Sequence, residues 1–341
     1  VFSDLGRGGK SPACTKRDSG LVSELTTVGT PIRVTPPTGE DVVRPFIIEA
    51  GNVRGRITRL NASLHQVLSR HDYPEPVSHL LGETLVLSVL LSSALKYDGK
   101  FILQMKGEGA VSMLVVDVTS EGEVRGYARF DEEALAAVDP AAIAAAPVMA
   151  LLKGGYLAFT VDQGPDTDIY QGIVPLEGDR LADCVLDYFQ RSEQIETAAE
   201  IAVGRTPFGE WVGCGMMLQR LPTETLPKGV TVEEAEDDWA RHRLLMSSLK
   251  AEEMLDLQLT GIDLIWRLFN EDDVRVADER PVSARSECCR NRLLSAMMSF
   301  GKDDIDDMME EGRVTVTCEF CRADFQFTQA ELESPADTNQ E

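Results

Sequence analysis

Positive charge is scarce in this chain. Across 341 residues, 33 Lys and Arg stand against 57 Asp and Glu, a formal net charge of −24. A nucleic-acid binder neutralises phosphates with Lys and Arg, so the charge argues against that class and no nucleic-acid partner is expected. Such acidity instead suits a protein that stays dissolved while presenting apolar surface. Long hydrophobic runs are missing too. The most apolar stretch, Leu85 to Leu95, is interrupted by Ser88, Ser92 and Ser93 and preceded by Glu83, so no membrane span is expected. The sequence shows no basic-then-apolar pattern, so no secretory leader is expected. Histidine is sparse: His65, His71, His79 and His242 lie far in sequence from the paired cysteines and read as ordinary surface or half-buried residues. There is no G-x-x-x-x-G-K-[ST] loop, dinucleotide fingerprint or nucleophile elbow. Lys153-Gly154-Gly155 and Gly204-Arg205-Thr206 read as turns, so no catalytic residue is assigned and the chain reads as a binder, not an enzyme.

Cysteine is present, but unevenly. Of seven, Cys14, Cys184 and Cys214 are isolated, and four fall near the C-terminus as Cys288-Cys289 and Cys318-Glu319-Phe320-Cys321. Isolated cysteines do not make an extracellular disulfide framework, and the expectation is a reducing cytoplasm. With 43% apolar and 26% charged residues the composition is globular, and the length admits two domains.

Residues 1–43 are rich in Gly, Ser, Thr and Pro and read as a disordered extension, which opens on Val1 as a fragment edge would. Residues 44–222 read as an α+β domain. Phe46–Ile48 and Arg56–Thr58 form short strands, and 76–95 a helix with a wide apolar stripe. Runs at 101–106, 111–118, 124–130, 156–161, 170–175, 198–203 and 211–217 form strands. A helix is expected over 179–194. The Ala-rich stretch 132–150, broken by Pro140 and Pro147, gives short helices at best. The predicted architecture is a mostly antiparallel sheet with helices packed on one side.

Residues 223–285 read as a helical linker. Thr231 and Glu234 have capping-box spacing, and Val232, Ala235, Trp239, Met246 and Leu249 share one helix face. A second helix follows Thr260. Amphipathic helices this short are marginal alone and need a neighbour, which makes the linker a metastable element. Trp239, Met246, Leu249 and Trp266 are its candidate contacts for a partner chain.

Residues 286–333 form a module of two helices and two short strands, followed by a disordered tail at 334–341. Its segment between the cysteine pairs is too short and too charged for a substantial core. A C-x-x-C knuckle with a second cysteine pair some thirty residues away is a strong zinc signal, and the candidate metal ligands are Cys288, Cys289, Cys318 and Cys321. Thiolate-bound zinc supplies roughly 10–16 kcal/mol of apparent free energy in small peptides, more than so slight a core. Oxidation removes thiolates, so loss of ligands means loss of the metal and of the module's fold.

Several motifs appear in a specific order: Arg54-Gly55-Arg56, Arg70-His71-Asp72-Tyr73-Pro74, Val124-Arg125-Gly126-Tyr127-Ala128 and Tyr170-Gln171-Gly172-Ile173-Val174. Tyr188-Phe189 with Ser192-Glu193-Gln194, then Met217-Leu218-Gln219 and Cys318-Glu319-Phe320-Cys321, complete the set. In these the chain resembles the 33 kDa chaperonin family of redox-regulated heat-shock holdases, over about residues 43–332. The resemblance implies a holdase that uses no ATP. It implies an inactive, monomeric reduced state with Zn2+ on four cysteines. On oxidation, Cys288, Cys289, Cys318 and Cys321 would form disulfides, zinc would leave, the linker would unfold, and a homodimer would bind unfolded client proteins.

One departure stands out. The family's first pair is C-x-C, whereas here Cys288-Cys289-Arg290 aligns with its second cysteine, leaving Ser286 in the first ligand's place and Cys289 at the neighbouring serine position. Adjacent Cα atoms lie about 3.8 Å apart, against about 5.5–6 Å in relaxed disulfides, so a Cys288–Cys289 bridge is strained. Zinc is expected to bind more weakly than at four well-placed cysteines. Two alternatives stay open: a zinc-ribbon adaptor, and a holdase no longer gated by redox state.

Overall fold

A computed structural model describes residues 40–163, 169–189, 194–226, 229–285 and 290–333. Nearly all of the expected extension and the whole tail therefore lie outside the described residues. The chain divides into two compact units, the first ending at Arg285 and the second containing residues 290–333.

The first unit contains two six-stranded sheets. One is built from β1 (Val42–Ile48), β2 (Val53–Leu60), β8 (Thr197–Arg205), β9 (Trp211–Arg220), β10 (Val274–Val276) and β11 (Arg280–Pro281). Its order is β10-β1-β2-β9-β8, with β11 also on β1. The other is built from β3 (Lys100–Lys106), β4 (Val111–Thr119), β5 (Glu123–Phe130), β6 (Tyr156–Asp162), β7 (Tyr170–Pro175) and β12 (Ser283–Ala284), in the order β12-β5-β4-β3-β6-β7. The ladders are antiparallel except that β12 runs parallel to β5. On β3 and β4 the period of two sends Phe101, Leu103, Met105, Leu114, Val116 and Val118 into the core.

The α+β class and the antiparallel pairing hold, but the helices are not confined to one side. After α1 (Ala62–Leu68), helix α2 (Glu75–Ala94) packs against strands of both sheets. It is buried all round from Val77 to Ser93, save His79 and Glu83. The expected stripe is in fact a full apolar circumference, as a helix between two layers requires. By length and composition α2 could cross a membrane, contrary to expectation, and 83% of its apolar window is buried inside the protein. The serines do not interrupt it, because their hydroxyls are satisfied on the helix itself. Thr84 donates to the Leu80 carbonyl at 2.6 Å and Ser88 to that of Thr84 at 2.7 Å. Close approach to the first sheet rests on Gly213 and Gly215, where a Cβ would meet Val86 at 2.8 and 2.5 Å.

The Ala-rich stretch forms three short helices, α3 (Glu132–Ala136), α4 (Pro140–Ala145) and α5 (Pro147–Leu152). The two prolines open the second and third, where a missing N–H costs nothing. Helix α6 (Leu181–Tyr188) is shorter than the expected 179–194, and residues 190–193 lie outside the described residues.

Strand β1 begins at Val42, inside the stretch assigned to the extension. Asp41 just before it accepts from the Asn61 and Ser63 amides at 2.9 Å, closing the start of α1. Its strand partners on β10 and β11 are more than two hundred residues away, a pairing that local composition does not carry.

Candidate functional site

Two places answer to the sequence-predicted site: the linker against the first sheet, and the cysteine hairpin of the second unit.

In the linker, α7 (Val232–Ser247) starts at a capping box, Thr231 Oγ1 accepting from the Glu234 amide at 3.2 Å while Glu234 Oε2 accepts from the Thr231 amide at 2.9 Å. It is followed by α8 (Ala251–Met254) and α9 (Gly261–Phe269), the latter capped by Thr260 and Asp263 in the same way. Trp239, Met246, Met254, Leu264, Ile265 and Phe269 close over Phe46, Ile48, Val53, Ile57, Ala202, Cys214, Met216 and Leu218 of the first sheet. This is a second apolar core, on the sheet face opposite α2. Of the four candidate partner contacts, Trp239 and Met246 are buried here and Leu249 is half-buried against the same core, while Trp266 stays 66% exposed.

Polar clamps hold the linker down. Arg59 of β2 donates to the Asp256 carbonyl at 2.9 Å and to that of Leu259. The Gly261 amide donates to the Glu40 carboxylate at 3.0 Å. Arg241 donates to Asp272 at 3.1 Å, and His242 Nε2 lies 3.3 Å from the same carboxylate. His242 is fully buried, which corrects its reading as a surface or half-buried residue. A signal was available: it lies on the stripe of Ala235, Trp239, Met246 and Leu249. Burial holds its imidazole below the ordinary range, with Asp272 opposing. Strands β10, β11 and β12 have no signature in the local sequence pattern; they let linker residues complete both sheets.

In the second unit, α10 (Arg290–Met297) and α11 (Lys302–Asp307) precede a hairpin of β13 (Arg313–Thr317) and β14 (Asp324–Thr328), then α12 (Gln329–Glu333). Its core contains four buried apolar side chains among the described residues, Met297, Val314, Phe327 and Leu332. Cys318 and Cys321 sit on the hairpin turn. The Cys318 amide donates to the Ala323 carbonyl at 2.9 Å and the Arg322 amide to the Cys318 carbonyl at 2.8 Å, with Arg322 at φ +58°. Cys318 is buried and Cys321 half-buried. A tight turn carrying two cysteines three apart fits one half of a thiophilic metal site. Cys288 and Cys289, with Ser286, lie outside the described residues. Among the described residues no three His, Cys, Asp or Glu side chains gather as a metal site. Arg290 covers the Phe327 ring at 4.5 Å and donates to the Gln326 carbonyl at 2.8 Å and to Glu331 at 2.9 Å.

The two isolated cysteines of the first unit are of another kind. Cys184 and Cys214 are buried free thiols, and burial pushes the Cys214 thiol up to about 12. Such thiols are poor nucleophiles.

Comparison with known proteins extends the picture. A family model described as Hsp33 protein matches residues 41–328. The 33 kDa chaperonin of Caulobacter vibrioides is 42% identical over 294 residues, covering 84% of this chain and 95% of its own. That of Proteus mirabilis is 31% identical over 298 residues, covering 86% and 95%. The crystal structure of the 33 kDa chaperonin (heat shock protein 33 homolog) from Thermotoga maritima superposes with a TM-score of 0.68, over 86% of this chain and 97% of that one. At 23% identity that is a likeness of fold.

Proposed function

The chain belongs to the Hsp33 family of heat-shock chaperones, and from that premise we propose that it is an ATP-independent holdase gated by the redox state of its C-terminal cysteines. The observation that carries the reading is the second apolar core. Six linker side chains cover a sheet face whose other residues, Phe46, Ile48, Val53, Ile57, Met216 and Leu218 among them, would be left open to solvent if the linker came away. An apolar face of this kind is what an unfolded client chain binds.

In the reduced state Cys318 and Cys321 on the hairpin turn, with Cys288 and Cys289, would hold Zn2+, which when bound supplies cross-linking between the hairpin and the start of α10. Oxidation takes the ligands away. Each pair of thiols that forms one S–S bond gives up two protons and two electrons, and hydrogen peroxide takes them up to leave two waters. The small core of Met297, Val314, Phe327 and Leu332 then stands alone. Linker residues continue directly into this module, so its loosening frees their C-terminal end; Trp239, Met246 and Phe269 lift from the sheet. Clients bind the exposed face, and two such faces favour a dimer. Cytoplasmic residence follows from the need for reduced thiols at rest.

The test is a client-aggregation assay on the full chain, reduced and zinc-loaded, then treated with hydrogen peroxide under mild heat while metal release is followed. Protection that appears only after oxidation, together with zinc release, supports the gate. Equal protection in both states would reduce the chain to an ungated holdase, and protection in neither would remove the chaperone reading.

A further inference from the structure

Nearly every buried or half-buried arginine of the first unit has an evident reason to be there. Arg125 makes a bidentate pair with Asp117 at 2.6–2.8 Å, Arg44 pairs with Glu40 and Glu279, Arg220 with Glu196 and Arg241 with Asp272. Arg59 and Arg70 are spent on backbone carbonyls. Arg54 and Arg56 break the pattern. They lie two apart on β2, so both project from one face of the first sheet, the face that carries α2. Arg56 is 5% exposed and Arg54 half-buried.

Among the described residues neither meets a carboxylate. Their one side-chain acceptor is shared: Arg54 donates to Gln219 Oε1 at 3.2 Å, and Arg56 reaches the same oxygen only at 3.5 Å. The Nε of each is buried without a hydrogen-bond partner. Their neighbouring charge has the wrong sign: Arg280 acts on Arg56 as a further cation, and it donates to the Ser93 carbonyl at the C-terminal end of α2. Burial first, then Arg54 and Arg280, bring the Arg56 guanidinium down to about 9. In a chain with 57 acidic residues against 33 basic ones, buried cations without an acid are not explained by a shortage of acids.

A buried guanidinium lacking a counter-charge is costly. A multivalent oxyanion removes that cost, because the planar fork of N–H donors matches tetrahedral oxygens in pairs. Access is available from one side. Ile47, which stands opposite Arg54 in the β1–β2 ladder, is 41% exposed, so this end of the sheet face opens to solvent while Arg56 lies deeper. We propose that Arg54 at the rim and Arg56 behind it, with the Gln219 amide, form a binding site for a phosphate-type oxyanion. The site does not draw on the linker core, which lies on the other face of the same sheet.

The test uses the full-length reduced protein. Its thermal unfolding is compared in inorganic phosphate and in chloride at equal ionic strength and pH, with titration calorimetry of phosphate alongside. Phosphate at roughly ten times its dissociation constant should raise the melting temperature by about 2–4 °C over chloride. Arg54→Gln, at the more exposed of the two arginines, should lose most of that increment and weaken binding at least tenfold, with the circular-dichroism spectrum of the parent retained. A general salting effect would persist in the variant. Glycerol phosphate distinguishes an esterified phosphoryl group from the free anion: an equal shift admits the ester, and a shift with inorganic phosphate alone confines the site to the free ion. An identical phosphate increment in the parent and Arg54→Gln, or none in the parent, overturns the proposal.

Discussion

The two units build cores of very different size. In the first, α2 is enclosed by two sheets, and a second core of fourteen buried side chains holds the linker to the outer sheet face; in the second, among the described residues, a cluster of four buried side chains underlies a hairpin and three short helices. Burial of apolar surface is the main favourable term in folding, so the first unit contains the means of its own stability. The second has far fewer such side chains among the described residues, and Cys318 and Cys321 stand on the turn of its hairpin. The linker lies between these extremes: its helices are well capped, yet six of the fourteen side chains in its core are its own and the rest belong to the sheet. The difference teaches where a chemical signal has leverage. A signal acting on sulfur has little hold on α2, and much on a module with so few apolar contacts.

The sharpest way to break that contrast is to remove one of the proposed zinc ligands. Cys318→Ser, or chelation of the parent protein, should abolish hydrogen-exchange protection across β13 and β14 while α2 and the central strands keep theirs. Thiolate-bound zinc is worth roughly 10–16 kcal/mol of apparent folding free energy in small peptides, so the expected effect on the second unit is complete unfolding, not partial loosening. A hairpin that stays protected would show that its small core suffices, and the proposed gate would lose its trigger.

A second change probes the linker core from within. Phe269 is 1% exposed and packs its ring 6.2 Å from that of Phe46. Phe269→Ala should cost about 3–5 kcal/mol, enough to release α7–α9 without disturbing the core around α2. The expected result is two separated unfolding transitions in calorimetry and client protection by the reduced protein without oxidant. One cooperative transition at lower temperature would mean that the linker and the sheets are a single folding unit.

Much of this comparison is legible in the residues, and the parts that are not share a cause. Local period and punctuation locate β3 to β9 and α2, the prolines divide the Ala-rich stretch, and Thr231 with Glu234 marks the start of α7. What local pattern misses is pairing across long sequence separations. Val42 and Val43 read as the end of a loop because their partners Pro281 and Arg280 are far along the chain. For the same reason the linker's three strands leave no local trace, and a helix enclosed by two sheets reads as one with a single apolar stripe. The site divides in the same way. The cysteine turn can be read directly from C-x-x-C, whereas the clamp of His242, Arg241 and Asp272 joins α7 to a loop thirty residues later. Arg54 and Arg56 stand in a recognised motif, yet only the fold shows that they are buried without an acid.

The smallest expected effect separates two regions of the first unit by pH. Glu83, beside α4 and α5 in a cleft with Leu80, Ile143 and Pro147, is raised from 4.5 to about 7, chiefly by burial, with Arg180 opposing. A raised carboxyl contributes stability that is present below its unfolded value and is lost as pH rises through about 7. His242 has the opposite sign. It is faced by Asp272 from the loop after α9, by Arg241 and Asp238 of its own helix, and by the edge of the Phe269 ring at 5.7 Å. Burial depresses it from 6.5, so its contribution is present above the unfolded value and is lost as pH falls through the folded one. Acidification from about pH 8 to about pH 5.5 should therefore tighten the α2 side and loosen the linker side. The gain on the α2 side should be about 2 kcal/mol, because each tenfold change in proton affinity between the folded and unfolded chain is worth about 1.4 kcal/mol. Exchange rates of amides in α2 and in α7, followed across that range, read the two separately, and Glu83→Gln should flatten the first response while leaving the second. Were both regions to weaken together on acidification, the linker would have no acid-sensitive clamp of its own, and the sulfur switch would be the better account of how it is released.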